Sequence, residues 1–167
     1  MRTRPAFVAA MLVAVDSYAQ RGLFTSPSPQ DVRFARHAYS GNVAEIRLGE
    51  LASRKGTAAD IKSFGKMMVE DHGKAHVELK ALVTKLRIQV TDSLRPAAQQ
   101  LYDRLAKLSG REFDRAYRQA MVADHQADIA SYRLESKRGD NPEIRAYAAR
   151  VLPKLRTHLA AIRATRF

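Results

Sequence analysis

Met68-Val69-Glu70-Asp71-His72 returns, with one change, as Met121-Val122-Ala123-Asp124-His125. Each copy falls inside a long pattern of apolar residues spaced three and four apart, the period of an amphipathic α-helix. In each, the Met and the His lie on the apolar stripe. An imidazole therefore occurs twice where an aliphatic side chain is expected.

Outward from the first copy, the stripe is Ile61, Phe64, Met68, His72, Ala75, Leu79, Leu82 and Leu86. Thr57 to Asp60 reads as a capping-box start, and this helix is expected to run to about Ile88. Before it, Ser28 can cap a helix whose first turn holds Pro29 and which reaches about Lys55, where Gly56 supplies a stop. Its stripe is Phe34, Ala38, Gly41, Glu45, Leu48 and Ala52, with Glu45 at the centre. The second copy lies on a stripe of Phe113, Tyr117, Met121, Asp124, His125, Asp128, Tyr132 and Glu135, unusually polar for a buried face. Ser109-Gly110-Arg111-Glu112 reads as its capping box, and Gly139 as its stop. Asn141-Pro142-Glu143 opens a last helix with the face Ile144, Tyr147, Val151, Leu155, His158 and Ile162. Pro153 falls inside that helix and should kink it. Residues 89–110 are left as a connector with a short helix carrying Leu94, Leu101, Leu105 and Leu108. Four long helices in two pairs, with a short helix in the link between them, spell an all-α fold, a four-helix bundle.

Composition agrees. The chain has 167 residues, 8 glycines and 6 prolines, sparse enough for long helices. It has no cysteine, which excludes disulfides, iron–sulfur clusters and thiolate zinc sites. At the N-terminus, Arg2 and Arg4 precede a short apolar run from Phe7 to Val15, and Ser17-Tyr18-Ala19 suits signal peptidase. The expected organisation is a signal peptide over 1–19, a loop over 20–28 and a helical bundle over 29–166. The mature chain is then exported, to the periplasm or envelope. Losing residues 1–19 removes Arg2, Arg4 and Asp16, leaving 27 basic against 16 acidic side chains, a net +11. That favours anionic envelope components as partners. The basic residues are scattered rather than clustered and aromatics are few, which does not favour nucleic acid.

Glu45, His72, His125 and His158 lie one per helix, near the centre of each face. One helical turn rises about 5.4 Å, so the four can converge within a turn or two. One carboxylate and three imidazoles suit zinc, iron, copper, nickel or cobalt better than calcium or magnesium. Asp71 and Asp124 are candidates to orient a ligand on a neighbouring helix, since adjacent helical residues point about 100° apart. His76 and Asp128 are candidate extra ligands. The same residues can also be neutral, hydrogen-bonded core groups, and the Met and Tyr residues packing. No serine or threonine has a recognisable nucleophilic setting, so an enzyme is the least favoured reading.

The segments Ala44-Glu45-Ile46-Arg47-Leu48-Gly49, Phe64 to His72, Phe113-Asp114-Arg115-Ala116-Tyr117, Val122 to His125 and Val151 to Leu159 together resemble a bacterial ferritin-like family of unknown function, often labelled "predicted outer membrane protein". The resemblance spans Asp31 to Leu159. It implies a ferritin-like bundle with an export signal and no established activity. The label does not imply a β-barrel, because no alternating strands occur. Di-iron bundles use Glu-x-x-His on two helices. That motif is absent here, and a mononuclear site fits the residues better than iron storage. The sequence thus points to a metal-binding bundle for sensing, buffering or resistance, or else to a non-catalytic envelope or stress-related interaction protein with a structural polar core.

Overall fold

The structure is a computed structural model that describes residues 25–166. The expected signal peptide and most of the loop after it lie outside those residues. Among the described residues there are five helices and no strands: α1 (Pro29–Lys55), α2 (Ala59–Lys85), α3 (Pro96–Ala106), α4 (Gly110–Arg138) and α5 (Pro142–Ala164). None is long and apolar enough to cross a membrane. α5 runs unbroken through Pro153.

α1 packs chiefly on α2, and α4 on α5, as two antiparallel hairpins. The ends of the helices show how the hairpins face each other. Asp31, in the first turn of α1, accepts from the backbone N–H of Asp140 and Asn141 at the start of α5, both at 3.0 Å. Lys85, at the end of α2, pairs with Glu143 on the first turn of α5. At the opposite end, Asp114 of α4 accepts from the N–H of Thr57 and Ala58, and the Arg166 N–H reaches Asp60. α1 is therefore antiparallel to α4, and α2 to α5. The link from α2 to α4 must travel the length of the molecule. It does so along α1, held by Arg36 to the Gln89 carbonyl and by Tyr39 to Asp92. α3 completes the descent against α1 and α4, burying Leu105.

Two helix starts differ from the sequence expectation. Ser28 does form a capping box with Asp31. Thr57 and Ser109 do not cap with their side chains. The α2 start is instead capped from another helix, by the buried Asp114 carboxylate. A carboxyl group that accepts from two otherwise free N–H groups satisfies more of the helix start than a local hydroxyl does. At α4, Gly110 takes φ +57°, a left-handed conformation that glycine adopts without a Cβ clash. α2 also ends earlier than expected, at Lys85, with Arg87 at φ 55°.

Between α1 and α2 the backbones meet directly. A Cβ on Gly49 would stand 2.7 Å from the Gly65 carbonyl oxygen, and one on Gly65 the same distance from that of Gly49. This close approach brings the facing stripes of the hairpin into one interior. That interior is not continuous. One apolar cluster gathers Phe34, Tyr39, Leu79, Tyr132, Tyr147 and Leu155. A second gathers Leu51, Phe64, Met68, Phe113, Tyr117 and Met121. Between them lies a buried polar layer of Asn42, Glu45, His72, His125 and His158, each no more than 4% exposed.

Candidate metal centre

Each long helix supplies this layer from mid-length. α1 gives Asn42 and Glu45, α2 His72, α4 His125 and α5 His158. Buried polar groups must find partners or they cost stability, so the partners define what the layer can do.

His72 Nδ1 lies 3.0 Å from Asn42 Oδ1. The Asn42 amide nitrogen in turn donates to Tyr147 Oη, and Tyr147 donates to the Ala75 carbonyl. The chain ends on a group that can only accept, so every donor in it points the same way. His72 therefore carries its proton on Nδ1. His125 Nδ1 lies 3.0 Å from the Met121 carbonyl, again an acceptor only. His158 Nε2 lies 2.9 Å from Asp71 Oδ2. Burial pushes the Asp71 carboxyl up, but the His158 hydrogen bond and the Lys154 charge outweigh it and leave it below the usual range. Asp71 is thus an ionised acceptor, and His158 is its donor.

A neutral imidazole has one N–H. All three protons are committed to outer partners, which leaves lone pairs on His72 Nε2, His125 Nε2 and His158 Nδ1. Burial holds all three rings below the ordinary histidine range. His72 is further depressed by the two neighbouring imidazoles. For His125, burial outweighs the nearby carboxylates. His158 falls to about 4 through burial, despite the Asp71 hydrogen bond. At neutral pH the layer holds three uncharged imidazoles.

Their ring centroids lie 5.3 to 5.9 Å apart. One nitrogen from each ring lies within 4.8 Å of one from each of the others. His125 Nε2 and His158 Nδ1 are 3.4 Å apart. Two nitrogens bound at about 2.0–2.1 Å in tetrahedral geometry would be separated by about 3.4 Å. His72 Nε2 is buried with no hydrogen-bond partner.

Glu45 does not join this trio as a fourth member. Its carboxyl groups instead with Asp124 and His125, so His125 is common to both sets. Burial, then the Asp124 charge, raises Glu45 well above the usual carboxyl range. Oε2 of Glu45 and the neighbouring Tyr117 hydroxyl are buried without partners. Asp124 itself is exposed, at the seam between α1 and α4. Asp71 is where an orienting group is needed, reaching from α2 across to the histidine of α5. Asp128 faces His37 at 3.6 Å. His76 packs its ring on Tyr39 and faces Asp92 at 3.6 Å. Neither Asp128 nor His76 belongs to the three-histidine group.

Asn42 is the residue that sequence reasoning missed. The α1 stripe expected from the sequence passes through Gly41, yet Gly41 is only half-buried and Asn42 is 2% exposed. The signal was present. Asn42 is four residues after Ala38 and three before Glu45, so it fits the same face.

Fold and site together define a class: an all-helical protein with a histidine-rich polar layer across its core. Residues 19–165 match the family described as a domain of unknown function, DUF4142. The chain belongs to that family. Among solved structures it is similar to a DUF305 fragment from Deinococcus radiodurans, with TM-score 0.72 and 14% identity, covering 83% of this chain and 96% of that one. It is also similar to CopM in the Cu(I)-bound form, with TM-score 0.66 and 16% identity, covering 80% of this chain and 92% of that one. At these identities the likeness shows the fold alone. Comparison with curated proteins gave no match.

Proposed function

We propose that this protein binds one transition-metal ion through His72 Nε2, His125 Nε2 and His158 Nδ1. One observation carries the reading. Every outer ring nitrogen is hydrogen-bonded to an acceptor, so three neutral imidazoles present lone pairs to one another inside a buried layer. Lone pairs facing each other repel, and a cation between them turns that repulsion into ligation. Outer acceptors of this kind fix the tautomer and raise the basicity of a ligating histidine. Asp71, Asn42 and the Met121 carbonyl fill that role. Glu45 lies beside His125, grouped with Asp124 rather than with the trio.

An all-imidazole set suits zinc, copper, nickel, cobalt or iron. The similarity to a protein solved with Cu(I) makes copper the first metal to try. The biological role that fits is sensing, buffering or resistance rather than catalysis. The topology supports a four-helix bundle of the ferritin-like type: four long helices, each antiparallel to its neighbours, with one long crossover between the pairs. The N-terminal sequence supports export to the periplasm or envelope, where the basic mature chain would meet anionic components.

The test is metal content of untagged protein produced in the periplasm, followed by titration of the stripped protein with copper, zinc, nickel, cobalt and iron. One equivalent per chain is expected, lost when His72 and His125 are both replaced by Ala while the fold persists. Stoichiometric binding retained in that double variant would overturn the assignment. No uptake of any of the five metals would leave the second reading, a structural layer in which the histidines serve only as hydrogen-bonding groups.

A further inference from the structure

The two sides of the polar layer are not equally covered. The crossover and α3 run along α1 and α4, and Asp124 stays exposed at their seam. The seam between α2 and α5 carries a cleft of about 280 Å³. His72 and His158 line this cleft and His125 does not. Two of the three candidate ligands therefore border a cleft on the side opposite Glu45 and Asp124, with His72 Nε2 buried beneath its floor.

From this we infer that the metal keeps one coordination position open to the α2–α5 cleft, and that a small monovalent anion, of azide to acetate size, enters there as an exogenous ligand. The inference rests on the three-histidine reading above and specifies what completes it. Three imidazoles leave a tetrahedral ion one ligand short. The carboxyl nearest in the core, Glu45, sits with Asp124 on the far side of His125 rather than with the trio.

Charge points the same way. The three ligands are neutral, so a divalent ion brings two uncompensated positive charges into a buried layer. Asp71, behind His158, is shared with Lys154 and offsets only part of that charge. A buried charge without a partner is costly, and an anion on the open position offsets it. The attraction comes from the ion itself, because the charges on the cleft walls are balanced. The walls carry Lys74, Arg150 and Lys154 against Asp71 and Glu78. Arg150 pairs with Glu78, and Lys154 stands 3.5 Å from Asp71. Lys74 turns to Glu70, outside the cleft, so each cation on the walls is matched by a carboxylate. The step is a ligand substitution. A lone pair of the anion replaces the water that otherwise fills the fourth position, and no oxidation state changes.

Cobalt(II) makes the substitution visible. The stripped protein is loaded with Co(II), desalted, and its cobalt counted before any anion is added. Sodium azide is then titrated at constant ionic strength. The visible spectrum is expected to change along a single-site saturation curve. Val151→Phe enlarges a side chain lining the cleft at a residue outside the ligand set, and should keep one cobalt per chain while weakening azide at least tenfold. Should that variant fail to fold, Arg150→Ala, at an exposed position, is expected to keep cobalt and weaken azide severalfold. A full complement of cobalt with a spectrum indifferent to azide overturns the open position and leaves the metal site standing. An azide response undiminished in the folded cleft variant overturns the route. Absence of bound cobalt overturns the inference, and the site beneath it falls with it only where copper, zinc, nickel and iron are not taken up either.

Discussion

His125 Nε2 and His158 Nδ1 face each other at 3.4 Å, and each ring has already given its only proton to an acceptor on its outer side. No hydrogen bond joins them in that state. Two lone pairs held together in a buried layer make an arrangement that either a proton or a metal ion would relax. Burial disfavours the proton, since it depresses both rings, and the third imidazole favours the metal.

The first expected consequence concerns Asp71. Its carboxylate holds His158 with Nδ1 free to ligate, and Lys154 secures it from the other side. In Asp71→Asn the acceptor is weaker, and the amide can present its NH2 instead. Metal affinity should fall by about 10- to 100-fold with stoichiometry kept at one. Competition with a chelator of known affinity measures this. An unchanged affinity would show that Asp71 does not orient His158.

The second concerns acid. The three rings have folded pKa values below the ordinary 6.5. The unfolded chain therefore takes up protons that the folded chain refuses. The stability tied to these rings is fully present above about pH 6.5 and is lost as pH falls toward about 4. For His158, with its value near 4, the loss is on the order of 3 kcal/mol. Glu135 acts in the opposite sense. Burial, then the hydrogen bond with Asp31, raises it to about 7, so its contribution is present below the unfolded value of about 4.5 and fades as pH rises through 7. Denaturant titrations of the metal-free protein from pH 8 to pH 4 should show the steep loss on the acid side. Bound metal, which competes with protons for the same nitrogens, should move that loss to lower pH.

The third concerns the Asp114 cap. Asp114 is fully buried and serves the N–H groups of Thr57 and Ala58. Asp114→Ala strands two donors and should cost about 2 kcal/mol. Thr57→Ala, at an exposed side chain, should change stability by less than about 0.5 kcal/mol. Chemical denaturation of both variants checks the pair. The reverse order would restore the local capping box.

These contrasts show which features the sequence exposed. The long helices were legible because Ser28, Pro29, Pro142 and the three- and four-residue spacing act locally, within a turn or two of the backbone they shape. Asp114 was not legible as a cap, because its partners lie more than fifty residues away and only the packing of α4 against the α1–α2 turn brings them together. The candidate ligands could be placed on their faces and at a common height, which needs only helical periodicity. How each side chain turns was not readable. Glu45 has the right height and face, yet it turns toward Asp124, and the ring tautomers depend on Asn42, Tyr147 and Asp71 from other helices. Hydrogen-bond direction is a tertiary property.

The most direct measurement is nitrogen NMR of the histidine side chains in ¹⁵N-labelled protein, before and after zinc. Before zinc, the account requires protons on His72 Nδ1, His125 Nδ1 and His158 Nε2, with the other nitrogen of each ring bare. On zinc addition the three bare nitrogens should shift together, saturating at one equivalent, while His37 and His76 stay unchanged. A proton found on His125 Nε2 or His158 Nδ1 in the metal-free protein, or zinc shifts confined to His37 and His76, would contradict it.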